Sequence, residues 1–381
     1  MTAAVRRVLM TADAVGGVWT YSLALAGGLA RAGVAVDLAV MGPPPDANQR
    51  AAAGRVPGLS VHATPLKLEW MEDAADDVAR AGTWLQDLAA RLCPDVIHLN
   101  GYAHAALPFD APKLVVAHSC VQSWWRAVHG ADPPAAWDGY RRRVAAGLAG
   151  ADAIVAPSAA MLRALIDCHG RLTAPAVVIP NGLPLLARPP VRKRDVVLSA
   201  GRVWDAAKNI LTLVAAAREL SDDGGWPVWI AGDRAPGDGV AAEFPGVVSL
   251  GRLDSHAMAD TYAVAAIYAL PARYEPFGLS VLEAAQHGCA LVLGDIDSLR
   301  ENWDGAALFV DPDDAGALAA ILGRLAAHPT ARAELGARAR ARAEHFPLAQ
   351  TCAATLDVYG RMVAAAAKRS PIQKEIGACA S

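Results

Sequence analysis

Three clusters in this 381-residue chain combine residue types and spacing that could do chemistry, and all three suit an anion. The first is Asp13-Ala-Val-Gly16-Gly17-Val-Trp19. Paired glycines between a strand and a helix let backbone N–H groups approach an anion, and the helix N-terminus adds favourable partial charge. Spacing alone leaves a tight turn and a phosphate cradle both open. It is not the Gly-x-Gly-x-x-Gly of a dinucleotide site, and neither half of the chain carries that fingerprint. The second cluster is Gly201-Arg202-Val-Trp-Asp-Ala-Ala-Lys208. Two cations at the mouth of a cleft suit a diphosphate, because charge-assisted hydrogen bonds are worth roughly 1.5–3 kcal/mol each. Taken alone, a solvated surface pair fits these residues as well. The third is Arg273-Tyr-Glu275-Pro-Phe277-Gly278-Leu279-Ser-Val-Leu-Glu283. Pro276 and Gly278 make a turn, after which the N–H groups of Phe277, Gly278 and Leu279 line a helix N-terminus that favours an anion. Glu283 could hold vicinal hydroxyls. A surface glutamate is the plainer alternative, but its neighbours Val281, Leu282, Ala284 and Ala285 are apolar.

These clusters need elements to hold them. Short β-branched runs alternate with alanine- and leucine-rich amphipathic stretches along most of the chain. Strands are predicted at 5–10, 34–41, 95–99, 113–117, 153–156 and 176–179, with helices at 19–32, 137–149 and 159–168. The runs are apolar throughout rather than alternating, as expected of parallel strands covered on both faces. Turn residues, prolines and the basic run Arg192-Lys-Arg194 then mark a linker over 181–194. The alternation restarts with strands at 196–200, 227–231, 247–250, 267–270, 290–293 and 307–310. Helices fall near 209–220, 257–264, 279–287 and 315–327. The reading is therefore an α/β protein with doubly wound domains over 1–180 and 195–346. A last helix over 347–368 is free to return to the first domain, and 369–381 reads as a disordered tail. Tandem sheets of this kind bind ligands in the cleft outside the carboxyl ends of their strands.

Composition narrows the classes. Hydrophobic residues are 54% and charged residues 19%, which suits two buried cores and argues against disorder. The net charge of −3 gives no electrostatic footprint for nucleic acid. The arginines between 332 and 342 are spaced, with Glu334 among them and Glu344 just beyond, as on an exposed surface helix. No apolar run reaches about 18 residues, and the N-terminal segment does not read as a signal peptide. The six cysteines form no Cys-x-x-Cys pair, which suits reduced thiols and argues against zinc. A cytoplasmic protein is expected. Arg141-Arg-Arg143 could touch an anionic membrane, but a solvated helix face is the simpler reading, so membrane contact is at most peripheral.

The Glu-Pro-Phe-Gly-Leu-Ser-Val-Leu-Glu run, with seven residues between its glutamates, and the Arg202/Lys208 pair resemble the retaining glycosyltransferases of family 4. Val-Gly-Gly-Val-Trp, Val-Val-Ala-His-Ser and Val-Ile-Pro-Asn-Gly follow the same family order. The resemblance implies a GT-B fold, two Rossmann-like domains facing a central cleft, and a nucleotide-diphospho-sugar donor, UDP- or GDP-linked. It implies that Glu283 holds the ribose hydroxyls and that Arg202 and Lys208 neutralise the leaving diphosphate. Glu275, with Phe277, Gly278 and Leu279, would position the donor sugar and its proximal phosphate. Gly16 and Gly17 would close on the diphosphate, Leu253 would meet the base through its backbone, and His118 would lie under the sugar. One departure is that five residues separate Arg202 from Lys208, where four is commoner.

No cofactor or metal is expected, since the cations and the helix N-terminus can stabilise the leaving group. Asp295-Ile-Asp297 is read as a decoy in a loop. Retention is a family inference, with a front-face route favoured. Trp19, Tyr102, His104 and Trp124 are candidates for holding the acceptor, which would be a sugar, lipid-linked or small-molecule hydroxyl in polysaccharide, glycolipid or glycoside synthesis. Two alternatives stand beside transfer: a nucleotide-sugar epimerase of the same fold, and a catalytically silent two-lobed binder.

Overall fold

The structure, a computed structural model, describes residues 5–185, 191–222, 225–233 and 243–378. Residues 186–190 of the expected linker and 379–381 of the expected tail lie outside the described residues. The first sheet comprises β1 (Arg7–Asp13), β2 (Ala35–Met41), β3 (Leu59–Ala63), β4 (Val96–Leu99), β5 (Lys113–Val116), β6 (Ala153–Ala156) and β7 (Ala176–Val178), in the order β3-β2-β1-β4-β5-β6-β7. Its helices are α1 (Gly17–Arg31), α2 (Ala47–Gly54), α3 (Ala75–Leu92), α4 (Val121–His129), α5 (Asp138–Gly150) and α6 (Ala159–His169). The second sheet comprises β8 (Arg194–Ala200), β9 (Val228–Ala231), β10 (Val248–Gly251), β11 (Ala265–Leu270), β12 (Ala290–Gly294) and β13 (Ala307–Val310), in the order β10-β9-β8-β11-β12-β13. Around it lie α7 (Ile210–Asp222), α8 (Ser255–Val264), α9 (Leu279–Gln286), α10 (Asp297–Trp303), α11 (Ala315–Ala327) and α12 (Pro329–Ala343), with α13 (Leu348–Ala378) last.

Every described strand pairing is parallel. Central strands such as Val96–Leu99 and Ala265–Leu270 are buried at every position, because helices cover both faces. The edge strand β3 was not expected from sequence. Its residues are half-buried or exposed, so Leu59-Ser-Val-His-Ala shows no continuous apolar run.

Both sheets reverse strand order once, between β1 and β4 and between β8 and β11. Loops leaving the carboxyl ends of such neighbouring strands turn to opposite faces and open a crevice. Asp13–Gly17 follows β1 and Asn100 follows β4; Arg202–Lys208 follows β8 and Arg273–Gly278 follows β11. The three clusters therefore sit at the two switch points.

The helix α13 starts against the second domain and crosses to the first. Leu183 pairs with Pro347 in an isolated bridge, and Leu348, Cys352, Val358, Tyr359 and Met362 join the core containing α1. Gly28 permits this contact: a Cβ there would lie 2.0 Å from Cys352 Sγ. The helix then continues to Ala378, through residues 369–378 of the expected tail. Two further expectations change. Asp297 opens the helix α10 rather than lying in a loop, and α12 is not simply exposed. Leu335, Gly336, Ala339 and Ala343 are spaced to make one flat buried face, and Arg342 Nε donates to Asn302 O at 2.7 Å.

Candidate functional site

Two helix N-termini meet across the cleft. Neither α1, beginning after Gly16, nor α9, beginning after Gly278, has a side-chain cap. Their first amides are left for another acceptor. A Cβ on Gly16 would lie 3.5 Å from Arg202 Nη1, and one on Gly17 would lie 3.7 Å from Leu279 Cδ1. The first-domain turn thus approaches the second-domain cation and the start of α9. Gly278 has φ +90°, a left-handed conformation, and a Cβ there would also stand 3.0 Å from Val281 Cγ2. The sharp turn into α9 needs glycine.

Both cations are held by carboxylates. Lys208 Nζ pairs with Glu275 Oε2, both largely buried, so the second and third clusters meet. Arg202 Nη2 lies 2.7 Å from Asp205 Oδ2. Asp205 is buried, its carboxyl held below the usual range despite burial by Arg202 and Lys208 and by its hydrogen bonds. Its Oδ1 accepts from Ala207 N and from Trp124 Nε1, each at 3.0 Å. Trp124 belongs to the first domain, so this bond spans the cleft. Sequence reading passed over Asp205, although it stands between the two cations.

Other bonds clamp the same loop. Tyr274 enters the first domain, where Cys120 N donates to its hydroxyl at 3.2 Å and Ser123 Oγ lies 2.9 Å away. Ser158 Oγ donates to Pro276 O at 2.7 Å, and Ser298 Oγ to Glu275 O at 2.6 Å. Glu301, on α10, accepts from Ala159 N and Ala160 N at 2.7 and 2.8 Å, capping the first-domain helix α6. On the opposite rim Arg252 Nη2 lies 3.2 Å from Asp46 Oδ2, again across the cleft, beside Leu253. Phe277 is buried in the second core. Glu283 lies on α9 with its carboxyl pushed up to about 7 by burial, against a hydrogen bond to Tyr262.

His118 follows β5. Its Nε2 lies 2.9 Å from Asn100 Oδ1, and its ring meets Tyr21 edge-on at 4.5 Å. Burial, then the neighbouring His98, lowers its pKa to about 3. Three of the four acceptor candidates are buried and Trp124 is partly buried. Trp19 is buried in the first core. The Tyr102 hydroxyl donates to Ser119 O at 2.8 Å, and His104 Nε2 donates to Val78 O at 3.0 Å. His104 nevertheless lines a small pocket with Asp13, Lys67, Glu69, Trp70 and Asn100. Trp124 reaches the second domain through its bond to Asp205.

Asp295 and Asp297 are each occupied by a cation: Arg300 Nη2 donates to Asp295 Oδ2 at 2.7 Å, and Arg163 lies 3.6 Å from Asp297. No cluster of His, Cys, Asp or Glu suited to a metal ion occurs among the described residues. No described helix is long and apolar enough to cross a membrane.

Two parallel-sheet domains facing each other across this cleft define the GT-B class of fold. Sucrose-phosphate synthase from Thermosynechococcus elongatus superposes with a TM-score of 0.77 at 21% identity, over 94% of this chain and 100% of that one. Anabaena HepE, solved in complex with UDP and glucose, gives 0.72 at 16% identity over 93% and 99%. In sequence, the family model Glycosyltransferase Family 4 matches residues 15–185, and Glycosyl transferases group 1 matches 194–328. The chain belongs to the family-4-like glycosyltransferases. A D-inositol 3-phosphate glycosyltransferase of Kineococcus radiotolerans is 31% identical over 56% of this chain and 58% of its own length. A glycogen synthase of Mycobacterium tuberculosis is 26% identical over 77% of this chain and 75% of its own. The match spans little more than half of the first relative, and 27% of a second D-inositol 3-phosphate glycosyltransferase, from Xylanimonas cellulosilytica.

Proposed function

We propose that the protein transfers a hexose from a UDP- or GDP-linked donor to a hydroxyl acceptor, with retention and without a metal ion. The observation that carries this reading is the convergence of Arg202, Lys208 and two uncapped helix N-termini on one cleft. Departure of a nucleoside diphosphate develops negative charge that fixed positive groups must stabilise. Here they are present before the reaction, oriented by Asp205 and Glu275. In the front-face route the bond from the anomeric carbon to the phosphate oxygen breaks. The acceptor oxygen bonds to that carbon on the same face, and its proton passes to the departing phosphate. Glu283, as a carboxylate, accepts from the ribose hydroxyls, while Glu275 and the backbone of 277–279 hold the sugar and its proximal phosphate. Leu253 meets the base through its backbone. HepE, which shares the fold, has been solved with UDP-glucose, and this supports a UDP-sugar as the first donor to try.

A thermal-shift panel of UDP, GDP, ADP and their hexose conjugates tests the donor site, because binding to the folded state raises its stability by mass action. One nucleotide series should raise Tm without metal, and Glu283→Ala should abolish the rise. No shift from any nucleotide would remove the support for Arg202, Lys208 and Glu283 as donor ligands. With the donor known, product analysis separates transfer from epimerisation, and turnover that survives a chelator separates this chemistry from metal-assisted departure.

A further inference from the structure

Between His118 and the C-terminal helix runs a chain of hydrogen bonds whose polarity is set by one amide. Asn100 N donates to Thr11 Oγ1 at 2.9 Å, fixing the backbone after β4. Its side-chain Nδ2 lies 2.8 Å from the carbonyl oxygen of Thr11 and 3.1 Å from Ser22 Oγ. A carbonyl only accepts, so the amide nitrogen must face Thr11 and the amide oxygen must face the other way. That oxygen is 2.9 Å from His118 Nε2 and 3.1 Å from His98 Nε2. An amide oxygen has two lone pairs and no proton, so both imidazoles must donate to it. In a neutral imidazole the other nitrogen is then bare. For His98 that prediction closes: its Nδ1 lies 2.6 Å from the Tyr359 hydroxyl on α13, which can donate to it. His118 Nδ1 has no such partner among the described residues.

We propose that Asn100 is a positioning residue that fixes His118 as its Nε2–H tautomer, making Nδ1 an obligate hydrogen-bond acceptor for a hydroxyl of the bound sugar. The inference rests on the donor-site reading above. It assigns His118 a direction of recognition: the ring receives a proton-bearing group at Nδ1 and cannot offer one there. Two imidazoles sharing one acceptor also oppose each other's protonation, and burial pushes both pKa values down, to about 3 for His118 and about 4 for His98. His118 therefore meets substrate as a neutral acceptor rather than as an acid.

The experiment is long-range 15N–1H correlation of the full chain labelled at its ten histidines, with His118 assigned by its loss in His118→Gln. At neutral pH the His118 ring should show a protonated Nε2 and a bare Nδ1. A protonated Nδ1, or an imidazolium, overturns the proposal. Asn100→Asp places a carboxylate between the two rings, and His118 should then appear as an imidazolium, with kcat falling about tenfold as one acceptor contact to the substrate is lost. Tyr359→Phe removes the far end of the chain and should leave the His118 signals in place. Should Asn100→Asp fail to fold, the wild-type spectrum decides by itself. The tautomer is read without turnover, so a failure of the transferase reading and a failure of this one remain distinguishable.

Discussion

The two walls of the cleft solve opposite electrostatic problems. The second-domain wall is built of ions already paired with one another: Lys208 with Glu275, Arg202 with Asp205. The first-domain wall carries around His118 a directed network of uncharged groups, running through Asn100 and His98 to Tyr359. A diphosphate can take over a cation already held in place, with little reorganisation at the moment charge develops. A sugar carries hydroxyls and no charge, so under the proposed donor pose the wall beneath it would gain more from fixed donors and acceptors than from ions.

The sharpest way to break this comparison is Lys208→Ala. Removing one preorganised donor to a developing anion costs on the order of 10²–10³ in kcat. Glu275 would also be left as a largely buried carboxylate without its cation. Steady-state kinetics with the donor found by thermal shift should show that loss mainly in kcat. A change confined to KM would place Lys208 outside the chemistry.

The walls should also titrate in opposite senses. Glu283 has its pKa raised from 4.5 to about 7 by burial, so the folded chain holds this proton more tightly than the unfolded chain. That contribution to stability is present below about 4.5 and is lost as pH rises towards 7. His98 has its pKa lowered from 6.5 to about 4, so its contribution is present above 6.5 and is lost as pH falls. Each pKa unit corresponds to roughly 1.4 kcal/mol. Thermal unfolding across this range should show Glu283→Gln gaining on the wild type as pH rises, and His98→Gln gaining as it falls. Nucleotide affinity should rise towards pH 8 in the wild type, where Glu283 is ionised, and stay flat in Glu283→Gln. Parallel slopes for wild type and either variant would remove that group from the account.

What was legible in the sequence follows the same division. The second-domain wall comes from two contiguous runs, 201–208 and 273–283, so residue type and spacing expose it. The first-domain network draws Thr11, Ser22, Asn100, His118 and Tyr359 from five elements or their ends, and only folding makes them neighbours. His118 was found through its place in a family motif, whereas Asn100 lies in Leu99-Asn-Gly101 and carries no local signal. The parallel sheets were legible because their strands are continuous apolar runs, and β3 was missed because an edge strand need not be one. Trp19, Tyr102 and His104 drew attention as aromatic or polar residues near strand ends. Their burial depends on packing, which composition does not reveal.

Bonds between the walls should have smaller effects. Glu301 caps α6 from the other domain through Ala159 N and Ala160 N. Loss of a cap of this kind costs about 0.5–2 kcal/mol, so Glu301→Ala should lower the unfolding free energy by that much while leaving kcat within a few-fold. A loss of kcat comparable with that of Lys208→Ala would mean that this contact sets the geometry of the site.

Trp124→Phe should leave kcat least changed and discriminates most finely, because it decides to which wall Trp124 belongs. Its indole N–H is one of two donors to Asp205 Oδ1, and Arg202 holds the other oxygen. Phenylalanine keeps an aromatic face but removes that donor, leaving Asp205 with Ala207 N and Arg202. A hydrogen bond to a charged group contributes about 1.5–3 kcal/mol, and solvent entering the cleft can replace part of it. If the indole serves the ionic wall by orienting Asp205, and through it Arg202, donor KM should rise several-fold with acceptor KM unchanged. If its ring face instead packs on the acceptor, the conservative change should leave donor KM alone, and Trp124→Ala should raise acceptor KM. The position of Trp124 between an ionic wall and a neutral one makes either outcome chemically sensible, and the two KM values, measured separately, tell them apart.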